Sequence, residues 1–294
     1  MAQQLALTDD DLAPVERGAD KIQVFAPDLA FRTFSIVNVI FFGLPGEGSD
    51  WVLIDTGLPT SAGAIRACAE NRFGLGTRPR AIIMTHAHFD HAGSVEQLSQ
   101  EWDVPVYAHP LEEPYLRGQA SYPPADPMVG GGAMALLSPL FPRSPVDVSS
   151  RLQMLPIDHG VPGMPGWRWL HTPGHSPGHI SLFRDSDRTL IAGDAVVTTA
   201  QESVYAVMTQ KPEIHGPPRY LTPNWIEAEQ SVQLLAGLEP ELIVTGHGLP
   251  VRGAGMRARL HELAENFRAV AVPQGGTYDL NPANPGKSDN DAYR

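Results

Sequence analysis

AIIMTHAHFDHAGS, residues 81–94, sets an apolar run directly before three histidines and an aspartate. The apolar part reads as a strand. The backbone leaves the sheet at the histidines, so their side chains can converge on one point. Neutral imidazole and carboxylate are ligands for Zn, Fe and Mn, and they bind in their deprotonated forms. In an extended segment His86, His88 and Asp90 alternate to one side, while His91, next to Asp90, points elsewhere. That division serves two cations better than one. A polar turn in which Asp90 merely caps the next helix would leave the histidines unexplained.

The rest of the chain repeats the position. His175 in WRWLHTPGHSPGH, Asp194 in LIAGD and His247 in LIVTGHG each stand just beyond an apolar run, beside glycine. A lone residue of this kind at a loop is usually structural. Four strand ends carrying such groups in order are hard to assign to chance.

Around these points strands and helices alternate, which indicates layered α/β architecture. IQVF, FRTFSIVNVIFF and WVLIDTG read as an antiparallel opening. A helix is predicted over 60–73, then the strand AIIMT, a helix near 92–101 and the strand VPVYAH. Strand signals resume with RLQMLPI, WRWLH, HISLFRD and RTLIAGD. A helix over 223–237 has Thr222 as its expected N-cap and Pro223 in its first turn. ELIVTGHG and a closing helix over 255–271 complete the pattern. Residues 1–272 read as a single domain. Residues 110–150, rich in Pro and Gly but also apolar, read as an inserted lid. Residues 273–294 read as a disordered tail.

Composition narrows the function classes. The chain has 294 residues, 42% of them hydrophobic, and a formal net charge of −12. That charge argues against a phosphate-backbone partner and for a small-molecule substrate. No run approaches the length of a membrane span and the start lacks a secretory pattern, so the expectation is a cytoplasmic protein that does not bind membranes. A homodimer is left open. The single cysteine, Cys68, lies in a helix-like stretch and is expected to be buried and unreactive.

The ordered set HAHFDH, TPGHSPGH, GD and GHG resembles the metallo-β-lactamase-fold superfamily, in its glyoxalase II-like and lactonase-like branch. The resemblance covers about residues 22–265. It implies an αββα sandwich of two mixed sheets flanked by helices. It also implies two Zn2+ ions, with Fe or Mn as alternatives. His86, His88 and His175 would hold the first, Asp90, His91 and His247 the second, and Asp194 would bridge them. His175 is preferred over His171 and His179 because it matches the first GH of the family pattern. His179 and Asp55, the latter in LIDTG, are expected behind the ligands. The implied activity is hydrolysis of a carboxylic ester, lactone or thioester by a hydroxide shared between the metals, with Asp90 shuttling the proton. Cys68 does not match the cysteine ligand of some β-lactamases, and His88 stands where iron flavoproteins of this fold carry Glu. No basic cluster suited to a glutathione thioester is present. A mononuclear-iron sulfur dioxygenase and a phosphodiesterase are the alternative activities. Tyr205, His215 and Tyr220 are candidate substrate contacts. His109, His159 and His261 are read as structural or surface residues.

Overall fold

In a computed structural model, described over residues 5–17, 21–129, 132–201, 203–209, 211–279 and 281–283, the chain divides into two compact units. One comprises Pro14–Gln119 with Ser144–Arg168; the other comprises residues 5–13, Ala120–Arg143 and the chain from Trp169 onward.

The first unit is built on an eight-stranded mixed sheet. FRTFSIVNVIFF forms most of a hairpin, Leu29–Phe34 paired antiparallel with Val37–Phe42, and Phe34 faces Val37. Only Ser35 and Ile36 turn the chain, and Ser35 takes a left-handed conformation with φ 61°. Val52–Ile54, Ala81–Ile83, Val106–Ala108 and Leu152–Met154 then run parallel to one another. The strands Val52–Ile54 and Ala81–Ile83, and the first half of Leu29–Phe34, are buried throughout. This is the continuous apolar reading expected of strands covered on both faces.

The helices Ala62–Phe73 and Val95–Trp102 supply the covering layer. Ile65, Cys68, Ala69 and Phe73 recur at helical spacing and join Leu53, Ile82 and Val106 in one core cluster. Trp51 stacks on Phe73 with ring centroids 4.7 Å apart, and its indole N–H donates to Thr77 Oγ1 at 2.8 Å. Cys68 is buried here and accepts from the Arg32 guanidinium at 3.1 Å. The helix expected near 92–101 starts only at Val95, because Ala92 and Gly93 remain tied to the histidine turn through His88 O and Gly57 O.

The second unit carries Ile180–Arg184, Thr189–Gly193, Leu242–Thr245 and Val251–Arg252 side by side in that order. Thr189–Gly193 and Leu242–Thr245 are parallel, with Gly193 opposite Thr245. The helices Trp225–Gly237 and Gly253–Glu265 bury Val232, Leu235, Met256, Leu260 and Leu263 in a core with Leu190, Ala192 and Ile243. The closing helix is interrupted at Asn266, after which a short turn covers Phe267–Val270.

Thr222 is not the N-cap of the helix over Trp225–Gly237. Asn224 fills that position, and its side chain accepts the Glu227 N–H at 3.2 Å. Asn suits the extended cap geometry at least as well as Thr, and Pro223 lies before the cap instead of inside the first turn.

The segment 110–150 is divided between the units. Pro110–Glu112 and Glu113–Leu116 form short helical turns in the first. Ala133–Leu137 and Ser138–Leu140 do so in the second, where Val129 and Ala135 pack with Tyr220. In the tail, Tyr278 donates to Pro124 O at 2.8 Å and the Ala283 N–H donates to Pro223 O at 2.9 Å, so these two residues are anchored. Residues 280 and 284–294 of that tail lie outside the described residues.

Candidate metal centre

In the first unit the donor groups stand at the carboxyl ends of two adjacent parallel strands, the usual place for a ligand on an open α/β sheet. Ile54 leads into Asp55, and Ile83 leads through Met84 and Thr85 into His86. His86, His88, Asp90 and His91 are all buried. The His86 ring lies 4.7 Å from that of His88 and 4.2 Å from that of His91, centroid to centroid. A ligand atom of Asp90 lies within 4.8 Å of one of His91. Packed this closely, the imidazoles repel one another if protonated and favour a shared cation if neutral.

Asp55 organises the turn from below. It holds a left-handed conformation, φ 59°, at the strand end. Its Oδ1 accepts the Thr85 N–H at 2.8 Å, and its Oδ2 accepts the Thr85 hydroxyl at 2.7 Å and His91 Nδ1–H at 2.8 Å. Because the Thr85 proton is committed to Asp55, Thr85 Oγ1 is the acceptor for His86 Nδ1–H at 3.1 Å. With Nδ1 protonated in both rings, Nε2 is the nitrogen fit to bind a metal.

A further group in this turn escaped the sequence reading. Glu112, fully buried, accepts the Ala87 N–H on Oε2 at 3.1 Å and so holds the backbone between His86 and His88. Nothing in PLEEP distinguishes it from Glu113; only the fold brings it to a residue 25 positions away.

The second unit holds His175, Asp194 and His247 together. Asp194 Oδ2 has His247 Nε2 at 3.1 Å and His175 Nε2 at 3.5 Å. Two imidazole nitrogens converging on one carboxylate oxygen suit a carboxylate shared between cations. The same tautomer device recurs here. Thr222 Oγ1 donates to Pro218 O at 2.7 Å and therefore accepts His175 Nδ1–H at 3.2 Å.

His179 is placed behind Asp194. Its Nε2 accepts the Asp194 backbone N–H at 2.9 Å, so the ring proton is on Nδ1, 2.9 Å from Thr172 Oγ1. Thr172 in turn reaches Ser181 Oγ at 3.0 Å, and Ser181 donates to Ala192 O at 2.9 Å. One chain of hydrogen bonds thus runs from Asp194 back to the strand that delivers it. His171 is turned away, with Nε2 donating to Pro177 O at 2.8 Å.

Glycine is required at two of these loops. Gly174 has φ 126°, and a Cβ there would fall 2.3 Å from the Ala228 nitrogen; Gly248 has φ 97°, and its Cβ would fall 2.3 Å from Thr198 Oγ1. The carbonyl of His247 accepts the Thr198 N–H at 3.0 Å and the Thr245 hydroxyl at 2.6 Å.

The candidate substrate contacts fare differently. Tyr205 is 73% exposed, while Tyr220 is buried against Phe141 with ring centroids 5.9 Å apart. His215 is paired through its backbone with Val197, and its Nδ1 donates to Gly216 O at 2.9 Å. His109 caps the turn at Pro110, and His261 pairs with Glu239 at the surface. His159 stands in a left-handed turn after Pro156.

Both donor sets fit divalent metal: buried imidazoles, with Nδ1 engaged in His86, His91 and His175, beside the buried carboxylates of Asp90 and Asp194. Residues 32–247 match the metallo-beta-lactamase superfamily, and the chain belongs to it. Its mixed sheets flanked by helices are those of that family's α/β sandwich fold. The chain is 52% identical over 238 residues to YflN of Bacillus subtilis (strain 168), described as a probable metallo-hydrolase; the match covers 81% of this chain and 90% of that one. YybB of the same organism, also described as a probable metallo-hydrolase, is 30% identical over 203 residues, 69% of this chain and 77% of that one. A beta-lactamase domain protein from Burkholderia ambifaria matches in structure with TM-score 0.58 and 22% identity, covering 88% of this chain and 80% of that one. Among the described residues no helix is long and apolar enough to cross a membrane.

Proposed function

We propose that this chain is a dinuclear zinc hydrolase acting on a small carboxylic ester, lactone or thioester. The observation that carries the proposal is the shared tautomer control. His86, His91 and His175 each have Nδ1 held by an oxygen acceptor, so each presents Nε2 as a ligand. The superfamily, and the description of its two Bacillus relatives as probable metallo-hydrolases, support a hydrolytic use of that set.

In this reading His86, His88 and His175 would hold one cation and Asp90, His91 and His247 the other, with Asp194 available as a further carboxylate ligand. Bound divalent metal supplies an acidified water, of pKa about 7, and a Lewis acid for the substrate carbonyl oxygen. The residues do the rest. Asp90 takes the proton of the attacking water and returns it to the leaving oxygen or sulfur. Asp55 and Glu112 keep the histidine turn in one conformation, so the nucleophile is placed without reorganisation. His179 and Thr222 fix the orientation of Asp194 and His175 by the hydrogen bonds that they make.

Metal analysis of protein purified without added metal, followed by a panel of esters, lactones and thioesters, tests the proposal. The expected result is about two metal equivalents per chain, as the paired donor sets imply, with turnover in one substrate class. One equivalent or none, with no turnover after zinc reconstitution, overturns it.

A further inference from the structure

Among the described residues outside the donor sets, Gln201 has both of its side-chain polar atoms buried and unmet. Gln201 is 1% exposed, and among the described residues neither its Oε1 nor its Nε2 has a hydrogen-bond partner. Burying a primary amide with donor and acceptor both unmet is strongly unfavourable. A Met or Leu of similar size would fill the space without that penalty. Such a group in a folded protein calls for a partner, whether an ordered water, an ion or a bound molecule.

Its place in the chain indicates what that is. Gln201 lies seven residues beyond Asp194, which follows the strand Thr189–Gly193, and the segment is fastened on both sides of it. Before it, Val197 and His215 exchange backbone hydrogen bonds of 3.1 and 2.9 Å, and the Thr198 N–H donates to His247 O at 3.0 Å. After it, the Ser203 N–H donates to Ala200 O at 3.1 Å, and the Thr199 hydroxyl reaches Ala206 O at 3.2 Å. Three residues of extended chain span at most roughly 10 Å, so Gln201 is held within that distance of Thr198, the residue bonded to the His247 carbonyl.

We propose that Gln201 is a specificity-determining residue whose amide reads a neutral hydrogen-bonding group, of the carboxamide class, on the substrate. The proposal rests on the hydrolase reading above and deepens it. An uncharged side chain with an NH2 donor group and a carbonyl acceptor in a single plane complements an amide. It selects against a plain alkyl chain, which meets neither group, and against a carboxylate, whose oxygens repel Oε1.

The test uses Gln201→Met, which keeps the length and removes both hydrogen-bonding groups, with Gln201→Leu as a second variant in case the first misfolds. Two 4-nitrophenyl esters of similar length are compared, the N-acetylglycinate and the pentanoate. The expected result is a loss of roughly 10- to 100-fold in kcat/KM on the N-acetylglycinate and a change of less than about threefold on the pentanoate, at equal metal content. Equal changes on both esters, or none on either, overturn the proposal and assign Gln201 to packing or to an ordered water. Binding of N-acetylglycinamide, titrated at equilibrium, decides the matter without turnover. A Kd at least about fivefold higher for the variant supports the role, and equal values overturn it. If the unsubstituted protein hydrolyses neither ester and also fails the wider panel, the hydrolase reading fails while this binding result still stands.

Discussion

Thr222 Oγ1 lies 3.2 Å from His175 Nδ1, across 47 residues of sequence, and its own proton is committed to Pro218 O. The hydroxyl is therefore an acceptor, and it decides which nitrogen of His175 is protonated. Replacing Thr222 by Val keeps the shape and deletes the acceptor. Metal affinity, measured by competition with a chromogenic chelator, is expected to fall by about 10-fold or more for Thr222→Val and to be largely retained by Thr222→Ser. An unchanged affinity in Thr222→Val would assign the hydroxyl to the local turn alone.

Asp55 meets three donors with two oxygens: the Thr85 N–H, the Thr85 hydroxyl and His91 Nδ1–H. Asn tolerates the left-handed backbone that Asp55 adopts, so Asp55→Asn isolates the side chain. An amide has one acceptor oxygen and must turn its NH2 toward at least one of these donors. The expected outcome is a loss of roughly 10- to 100-fold in metal affinity, together with a lower Tm of the metal-free protein. The same affinity as the unsubstituted chain would show that Asp55 does not orient His91.

Gly174 combines a positive φ with backbone contact: any Cβ would lie 2.3 Å from the Ala228 nitrogen and 2.5 Å from its Cα. Neither atom can move without shifting the helix Trp225–Gly237. Gly174→Ala is expected to destabilise the protein by about 3 kcal/mol or more, from overpacking and backbone strain together. Urea unfolding checks this, and a change below about 1 kcal/mol would show that the loop relaxes freely.

Glu227, in the first turn of that helix, is half-buried; burial pushes its carboxyl above the ordinary value of 4.5, against an opposing pull from His171. A carboxyl whose folded pKa is raised is penalised only when ionised. The penalty is absent below 4.5, where the group is protonated whether folded or unfolded, and it is complete above the raised folded value. Glu227→Gln is therefore expected to raise Tm slightly at pH 7 and to leave it unchanged at pH 4. A Tm lowered at pH 7 would show that the charge is stabilised, for instance by the helix N-terminus.

The histidine turn was legible because its signal is local. An apolar run followed by HAHFDH specifies a strand, its end and the donors in one stretch, and TPGHSPGH, GD and GHG repeat that grammar. Helix boundaries were less so. Asn224 and Thr222 are both good caps, and which is used depends on where Pro223 and the preceding loop are held. Tyr205 and Tyr220 are candidates by residue type alone, whereas the exposure of Tyr205 and the packing of Tyr220 with Val129 and Ala135 are set by the fold.

The sequence by itself determined the chemistry available, imidazoles and carboxylates at the ends of apolar strands, because a strand and its terminal residues are contiguous in the chain. Only the tertiary structure decided which nitrogen each histidine presents. For His91 and His175 that choice depends on Asp55 and Thr222, 36 and 47 residues away in the chain, and a hydrogen bond of about 3 Å has no signature in sequence spacing.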